Sequence, residues 1–328
     1  MLKFSADFQQ ALHHTVILSV TALAVIFFWA FLRIPAGNLL ILVFAFLSAV
    51  RISDFPSPEI RLKTVAGMLL AAASLQYIVS VTEHIKLLNV LLPAAASGVI
   101  LKKLPGGSAH PCLLVGMLAY NAAGGVHAAT ARIIDLLFAG ITAWLVTLPL
   151  APIKSGAIIA HTGRTRSNYK IFVESFTIFC AILLYKLLYM KQGLWIVLTI
   201  IFIYMSKQAN ESSADLVRQR IFSVPAGILL GGVYSGTAVM FDYHWAYLSV
   251  LIGAVGFFML YYRHDFFLFT LFFMTAFTIC ADWMTGTYRE FNFLQLLFAR
   301  SLATVIGAAV LLFIEKAAAL QPAKVTNL

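Results

Sequence analysis

The chain has 328 residues, 61% hydrophobic and 11% charged, with a mean hydropathy of +0.91. A water-soluble globule of this length cannot hide so much apolar surface, which excludes a soluble enzyme or binding domain. The formal net charge of +10 does not point to nucleic acid, because the basic residues sit at the edges of apolar runs, where membrane topology is set.

Apolar segments of about 16–22 residues recur along the sequence, close to the ~20 needed to cross a ~30 Å hydrocarbon core. The pattern predicts an all-α, polytopic transmembrane bundle of about 12 spans: 15–32, 36–50, 64–81, 87–101, 111–126, 133–151, 171–190, 193–205, 221–241, 245–262, 266–281 and 293–314. No convincing small-residue cleavage site follows the first, and its apolar length exceeds a signal-peptide core, so it is expected to be a retained span. The second and eighth are short. The third opens on "SPEIRLKTVAGMLLAAA" (57–73) and the ninth on "SADLVRQRIFSVPAGILLGG" (213–232); each places an acid and two basic residues before a small-residue helix. Gly67 with Ala71, and Gly227 with Gly231, form small-xxx-small pairs that let membrane helices approach closely, so the third and ninth spans are expected to pack together. Pro225 is expected to bend the ninth. The sixth, "ARIIDLLFAGITAW" (131–144), is echoed by the twelfth, "ARSLATVIGAAVLL" (299–312), which carries Gly307.

The longest polar interruption divides the chain into a first six-span membrane repeat (1–151), a connector (152–170) and a second repeat with a short tail (171–328). Six crossings are an even number, so the repeats are parallel, related by an axis along the membrane normal. With the N-terminus inside, about two thirds of the 23 Lys and Arg fall on the cytoplasmic side. Both termini and the connector are then cytoplasmic, with Arg61, Arg218 and Arg220 on a basic edge that reaches solvent or lipid phosphate.

The run "GLWIVLTIIFIYMS" followed by "RQRIFSVPAGILLGG" resembles the signature of the fusaric acid resistance and aromatic acid exporter superfamily, on Trp195, Thr199, Arg220 and Gly227. "ARSLATVIGAAV", with Arg300, Thr304 and Gly307, is similar to the last helix of that family's six-span unit, and "RIIDLLFAGITA", with Arg132 and Asp135, to the same helix in the first half. The chain departs from larger members in its short connector and tail, and has Asn38–Leu39 where the second half has Trp195. The resemblance implies a bacterial inner-membrane secondary exporter of small organic, aromatic carboxylic acids, driven by the proton gradient and working with a periplasmic membrane-fusion adaptor. An anion channel of the same superfamily is the alternative, and a non-transporting membrane assembly subunit a third reading.

Ionisable groups inside spans are expensive and therefore mark candidate sites. Asp135 lies one turn after Arg132 on one helix face. These two either form an ion pair, or Asp135 carries a proton while Arg132 draws an anion. Arg300 has no acid nearby on its own helix, and Asp282 and Glu290 are its candidate partners. Glu174 faces the cytoplasmic interface and Lys186 snorkels outward. Asn38, Trp195, Thr199 and Tyr204 supply polar or aromatic groups on the short matched spans, where transporter sites lie, and Trp195 serves equally as an interfacial anchor. Asn121 and His127 add polar groups at the outer end of the fifth span. The single cysteines Cys112, Cys180 and Cys280 offer no pairing.

The sequence has no GxxxxGK[ST], HExxH or GxSxG motif, so no nucleotide, metal or other cofactor and no enzymatic activity are expected. The expected partners are membrane lipids, an anionic or aromatic substrate and the adaptor; a homo-oligomer is compatible with the pattern, and a nucleic-acid partner is not.

Overall fold

The computed structural model describes residues 6–32, 39–53, 55, 57–104, 106–121, 125–149, 167–190, 192–207, 212–240, 245–262, 265–285 and 293–320. These residues form twelve α-helices: α1 (Ala6–Leu32), α2 (Leu39–Ser53), α3 (Pro58–Val81), α4 (Leu88–Lys103), α5 (Gly106–Met117), α6 (Gly125–Thr147), α7 (Asn168–Leu188), α8 (Leu194–Ser206), α9 (Ser213–Met240), α10 (Trp245–Tyr261), α11 (Phe266–Thr285) and α12 (Phe293–Ala319). A short 3₁₀ turn, Leu118–Asn121, extends α5. A helix lies on every segment where a span is expected. The connector lies outside the described residues except for its last four positions.

Local chemistry fixes several ends. Ser57 and Ser167 cap α3 and α7 by accepting from the backbone N–H of Ile60 and Lys170, both at 3.2 Å, and Pro58 stands at the first helical position of α3. Tyr189, at φ 48°, terminates α7 in the left-handed region. The helix α9 continues from Ser213 to Met240 through Pro225.

Among the described residues four segments are long and apolar enough to cross a bilayer: Pro58–Val81, Ala129–Thr147, Asn168–Leu188 and Phe293–Ala319. Their outer faces are apolar too, with Phe172, Phe176, Leu183 and Leu187 exposed along α7 and Ile134, Leu137, Ile141 and Leu145 along α6. Helices that are apolar outside as well as inside are built for hydrocarbon and not for water. The fold is that of a helical membrane protein.

In the first half α2 packs on α6, α3 on α5 and α6, and α1 on α2. In the second half α8 packs on α12, α9 on α11 and α12, and α7 on α8. Between the halves, α4 meets α7 and α1 meets α10.

Two packing expectations need correction. The small residues of α9 face α11 and not α3. A Cβ built on Gly227 would lie 2.5 Å from the Leu271 carbonyl oxygen, and one on Gly231 would lie 2.6 Å from Thr278 Cβ. In α3, Gly67 looks only onto the flexible Leu104 side chain, at 3.5 Å, and Ala71 is half-buried among the core apolar side chains. The groove of α9 is matched by Thr275, whose hydroxyl donates to the Leu271 carbonyl at 2.8 Å and lies 3.2 Å from that of Gly227. Gly307 does lie against another helix, since its Cβ would come within 2.6 Å of the Ile196 carbonyl oxygen of α8.

The second correction concerns the basic edge. Arg218 is exposed, but Arg61 and Arg220 are 2% and 0% exposed. Arg61 donates to the carbonyls of Phe55 (2.8 Å), between α2 and α3, and of Thr147, which α6 leaves open at its C-terminus.

Candidate functional site

The short helix α8 stands at the centre of the second half, buried at every position from Leu194 to Tyr204. It touches α5, α7, α9 and α12. A helix of 13 residues is about 20 Å long, too short to span hydrocarbon by itself. It is held by the longer helices around it, and an arginine lies close to each of its ends.

At the N-terminal end, Arg300 of α12 is 5% exposed. Its guanidinium carbon lies 5.0 Å from the ring centres of both Trp195 and Phe277, which meet edge-to-face at 5.3 Å. Its Nε donates to Gln192 Oε1 at 3.5 Å, while Nη1 is buried with no partner. Trp195 is therefore buried against Arg300 and Phe277 instead of standing exposed as an interfacial anchor. Thr199, one turn on, is fully buried and its hydroxyl has no hydrogen-bond partner.

At the other end, the Arg220 guanidinium lies 4.5 Å above the Phe202 ring and donates to Thr270 Oγ1 at 3.4 Å. Its Nε and Nη2 are buried without partners. Phe202 meets Phe273 at 4.9 Å, and Phe273 stacks on Phe277 at 6.3 Å. A column of rings from α8 and α11 thus joins the two arginines, and no carboxylate pairs with either among the described residues. Flat aromatic faces attract a guanidinium, by on the order of 2 kcal/mol when desolvated, but do not neutralise its charge as a counter-ion would.

Beside this second end, α5 and α7 bring together two side chains that sequence separation hides. His110 Nε2 lies 3.4 Å from Glu174 Oε2, with both residues buried. The His110 ring stacks on Tyr204 at 6.4 Å, and the Tyr204 hydroxyl bonds Thr177 at 3.2 Å. Glu174 and Tyr204 also line a cavity of 330 Å³ between α7, α8 and α12, whose mouth carries the Lys207–Glu315 ion pair at 3.0 Å. Glu174 therefore faces the bundle interior. The local sequence "SAHPC" gives no hint of the pair beyond a polar residue within an apolar run.

The remaining candidates fall elsewhere. Asp135 and Arg132 are buried on α6, which packs on α1, α2 and α3, whereas Arg300 is on α12 among α7, α8 and α9. Asp135 and Arg300 are thus on separate groups of helices. Arg132 Nη1 donates to the Ala119 carbonyl at 3.4 Å, and Glu83 acts electrostatically on both Arg132 and Lys186. Lys186 is folded over the rings of Tyr120 and Tyr185, at 4.8 and 5.4 Å, instead of extending outward. Asn38 and Glu290 lie outside the described residues, as do the side chains of Asn121, His127 and Asp282.

The bundle has apolar outer faces and two buried arginines with no carboxylate partner among the described residues, within a helical membrane protein. Residues 179–314, from within α7 to within α12, match the family described as fusaric acid resistance protein-like, which supports the resemblance carried by the motifs. That family points to membrane transport of the efflux type. No curated protein and no solved structure matches the chain.

Proposed function

We propose that this protein is a secondary exporter of small organic anions, aromatic carboxylates above all, from the bacterial cytoplasm across the inner membrane. The observation that carries this reading is Arg300, a buried guanidinium with an open Nη1, held between Trp195 and Phe277. A carboxylate complements the guanidinium fork, and an aromatic ring attached to it finds rings to stack on. The second cation, Arg220, offers a station at the other end of α8, as transport between two membrane faces requires.

The twelve helices are read here as twelve spans in two parallel repeats. The recurrence of neighbours in the two halves supports this, with α2–α6 matching α8–α12 and α3–α5 matching α9–α11. Both termini and the 151–170 connector are cytoplasmic in this reading, and a periplasmic adaptor receives the substrate. A cysteine at Ala160, in a background without the three native ones, is expected to resist an impermeant maleimide on intact cells and to react after permeabilisation. Strong labelling of intact cells would overturn the orientation.

Export is driven by protons, with Asp135, one turn after Arg132 on α6, as the acid. Uptake of a panel of aromatic carboxylates into inverted vesicles with an imposed pH gradient tests this. Asp135→Asn is expected to insert normally yet lose the part of uptake that the gradient adds; a wild-type gradient response refutes the proton role. Absence of carboxylate uptake by the wild type refutes the exporter reading as a whole.

A further inference from the structure

The buried pair His110–Glu174 is not needed for the anion site around Arg300, and simple packing does not explain it. An apolar pair of the same volume would cost less to bury, since ionised or polar groups removed from water carry a desolvation penalty of several kcal/mol. We propose that His110 and Glu174 together form a proton-binding site, loaded and emptied through the cavity between α7, α8 and α12.

The two side chains have the chemistry for it. Histidine changes charge near neutral pH, and a carboxylate 3.4 Å away shares the proton with it. With one proton bound the pair is neutral overall, whichever atom holds it. A second proton makes it a cation, and loss of the first makes it an anion. The proton is exchanged with water at the cavity, and no other reactant is needed. Glu174 lines the cavity directly and Tyr204 covers the imidazole, so the route to solvent reaches the carboxylate and not the ring.

The surrounding charges belong to every helix packed on the pair. Arg51 of α2 lies 3.4 Å from Ser108 Oγ, two residues before His110. Lys102 and Lys103 end α4 and are exposed, and Lys170 of α7 and Lys207, just after α8, are at the cavity. Glu315 of α12 is paired with Lys207, and Tyr204 donates to Thr177. On α3, Arg61 is directed to the carbonyls of Phe55 and Thr147. The acids that face the cavity are therefore Glu174 at its floor and Glu315 at its mouth. The second is half-exposed in an ion pair, which leaves Glu174 as the buried acceptor.

The proposal needs no substrate to be tested, so it stands or falls separately from the export reading. Infrared difference spectra of the protein in lipid nanodiscs are taken while pH is stepped between about 5 and 8, where histidine and coupled carboxyls titrate. The wild type is expected to show the carbonyl stretch of a buried protonated carboxyl, and Glu174→Gln to lack it. Glu174→Asp, a gentler change, is expected to shift the band, and His110→Gln to move the pH at which it appears. Filling the cavity with Ala318→Phe is expected to slow the deuterium exchange of that band at least several-fold. A wild-type spectrum with no such band overturns the proposal without recourse to any variant. So does a band that survives Glu174→Gln, one whose midpoint ignores His110→Gln, or an exchange rate unaltered by Ala318→Phe.

Discussion

Replacing Arg300 with methionine is expected to abolish carboxylate transport and to raise the thermal stability of the protein. The opposite signs follow from the same geometry. A guanidinium at 5% exposure, with one weak hydrogen bond and one open donor, has given up most of its hydration without gaining a counter-ion among the described residues. Ring contacts recover on the order of 2 kcal/mol, against a desolvation cost of several. A side chain of similar length with no charge removes that cost; even whole buried ion pairs, which have a Coulombic attraction to lose, can be exchanged for apolar side chains neutrally or with a gain of about 1–4 kcal/mol. In the export reading proposed above the cation is kept for function, because a bound carboxylate would supply the missing counter-charge only while substrate is present. Arg300→Lys keeps the charge but loses the planar fork, so weakened and not abolished uptake is expected. Thermal unfolding in detergent and vesicle uptake, measured on the same preparations, give the two readouts. A methionine variant that is both less stable and inactive would show that Arg300 is a structural residue. Arg220→Met is expected to behave in the same way, since Arg220 is still more buried.

The helices were legible in the sequence because hydrocarbon demands long apolar runs and each run is punctuated by charge or proline. Even the short eighth segment, expected at 193–205, is a helix over Leu194–Ser206. Arg300 and Trp195 could be picked out singly, because a charge or an indole in an apolar run is conspicuous. Their meeting could not, since it is made by α12 crossing α8, where Gly307 lets the two backbones approach. The buried state of Arg220 was hidden for a related reason. Position along a helix indicates a boundary, but the direction in which the side chain turns depends on which neighbour supplies Phe202 and Thr270. The His110–Glu174 pair was least legible. One residue begins α5 and the other lies in the opposite half of the chain, and neither sits in a motif. Small-residue spacing marked α9 as a close-packing helix without saying against which partner, and there the expected neighbour, α3, gave way to α11.

That interface sets the largest expected effect on folding. Gly227→Leu should leave almost no folded protein, whereas Gly67→Leu should be recovered in useful yield. Both are glycines at equivalent-looking places in the sequence, so the contrast isolates what each one faces. At Gly227 even a methyl group would meet the Leu271 carbonyl oxygen at 2.5 Å and Met274 Cβ at 2.7 Å. Backbone cannot swing aside as a side chain can, so α9 and α11 would have to separate. Separation would also pull the Thr275 hydroxyl away from the Gly227 carbonyl and disturb the Phe273 and Phe277 faces that the arginine column uses. Overpacking costs about 1–3 kcal/mol where side chains can readjust, and more is expected against main chain. Membrane helices have no hydrophobic drive to hold them together once such contact is lost. At Gly67 the same methyl meets only Leu104 Cδ2 at 3.5 Å, an ordinary contact with a side chain that can rotate. The measurement is the monodisperse fraction after detergent extraction, with Gly227→Ala as an intermediate step. Equal yields for the two leucine variants would mean that α9 and α11 are not in this close contact in the membrane.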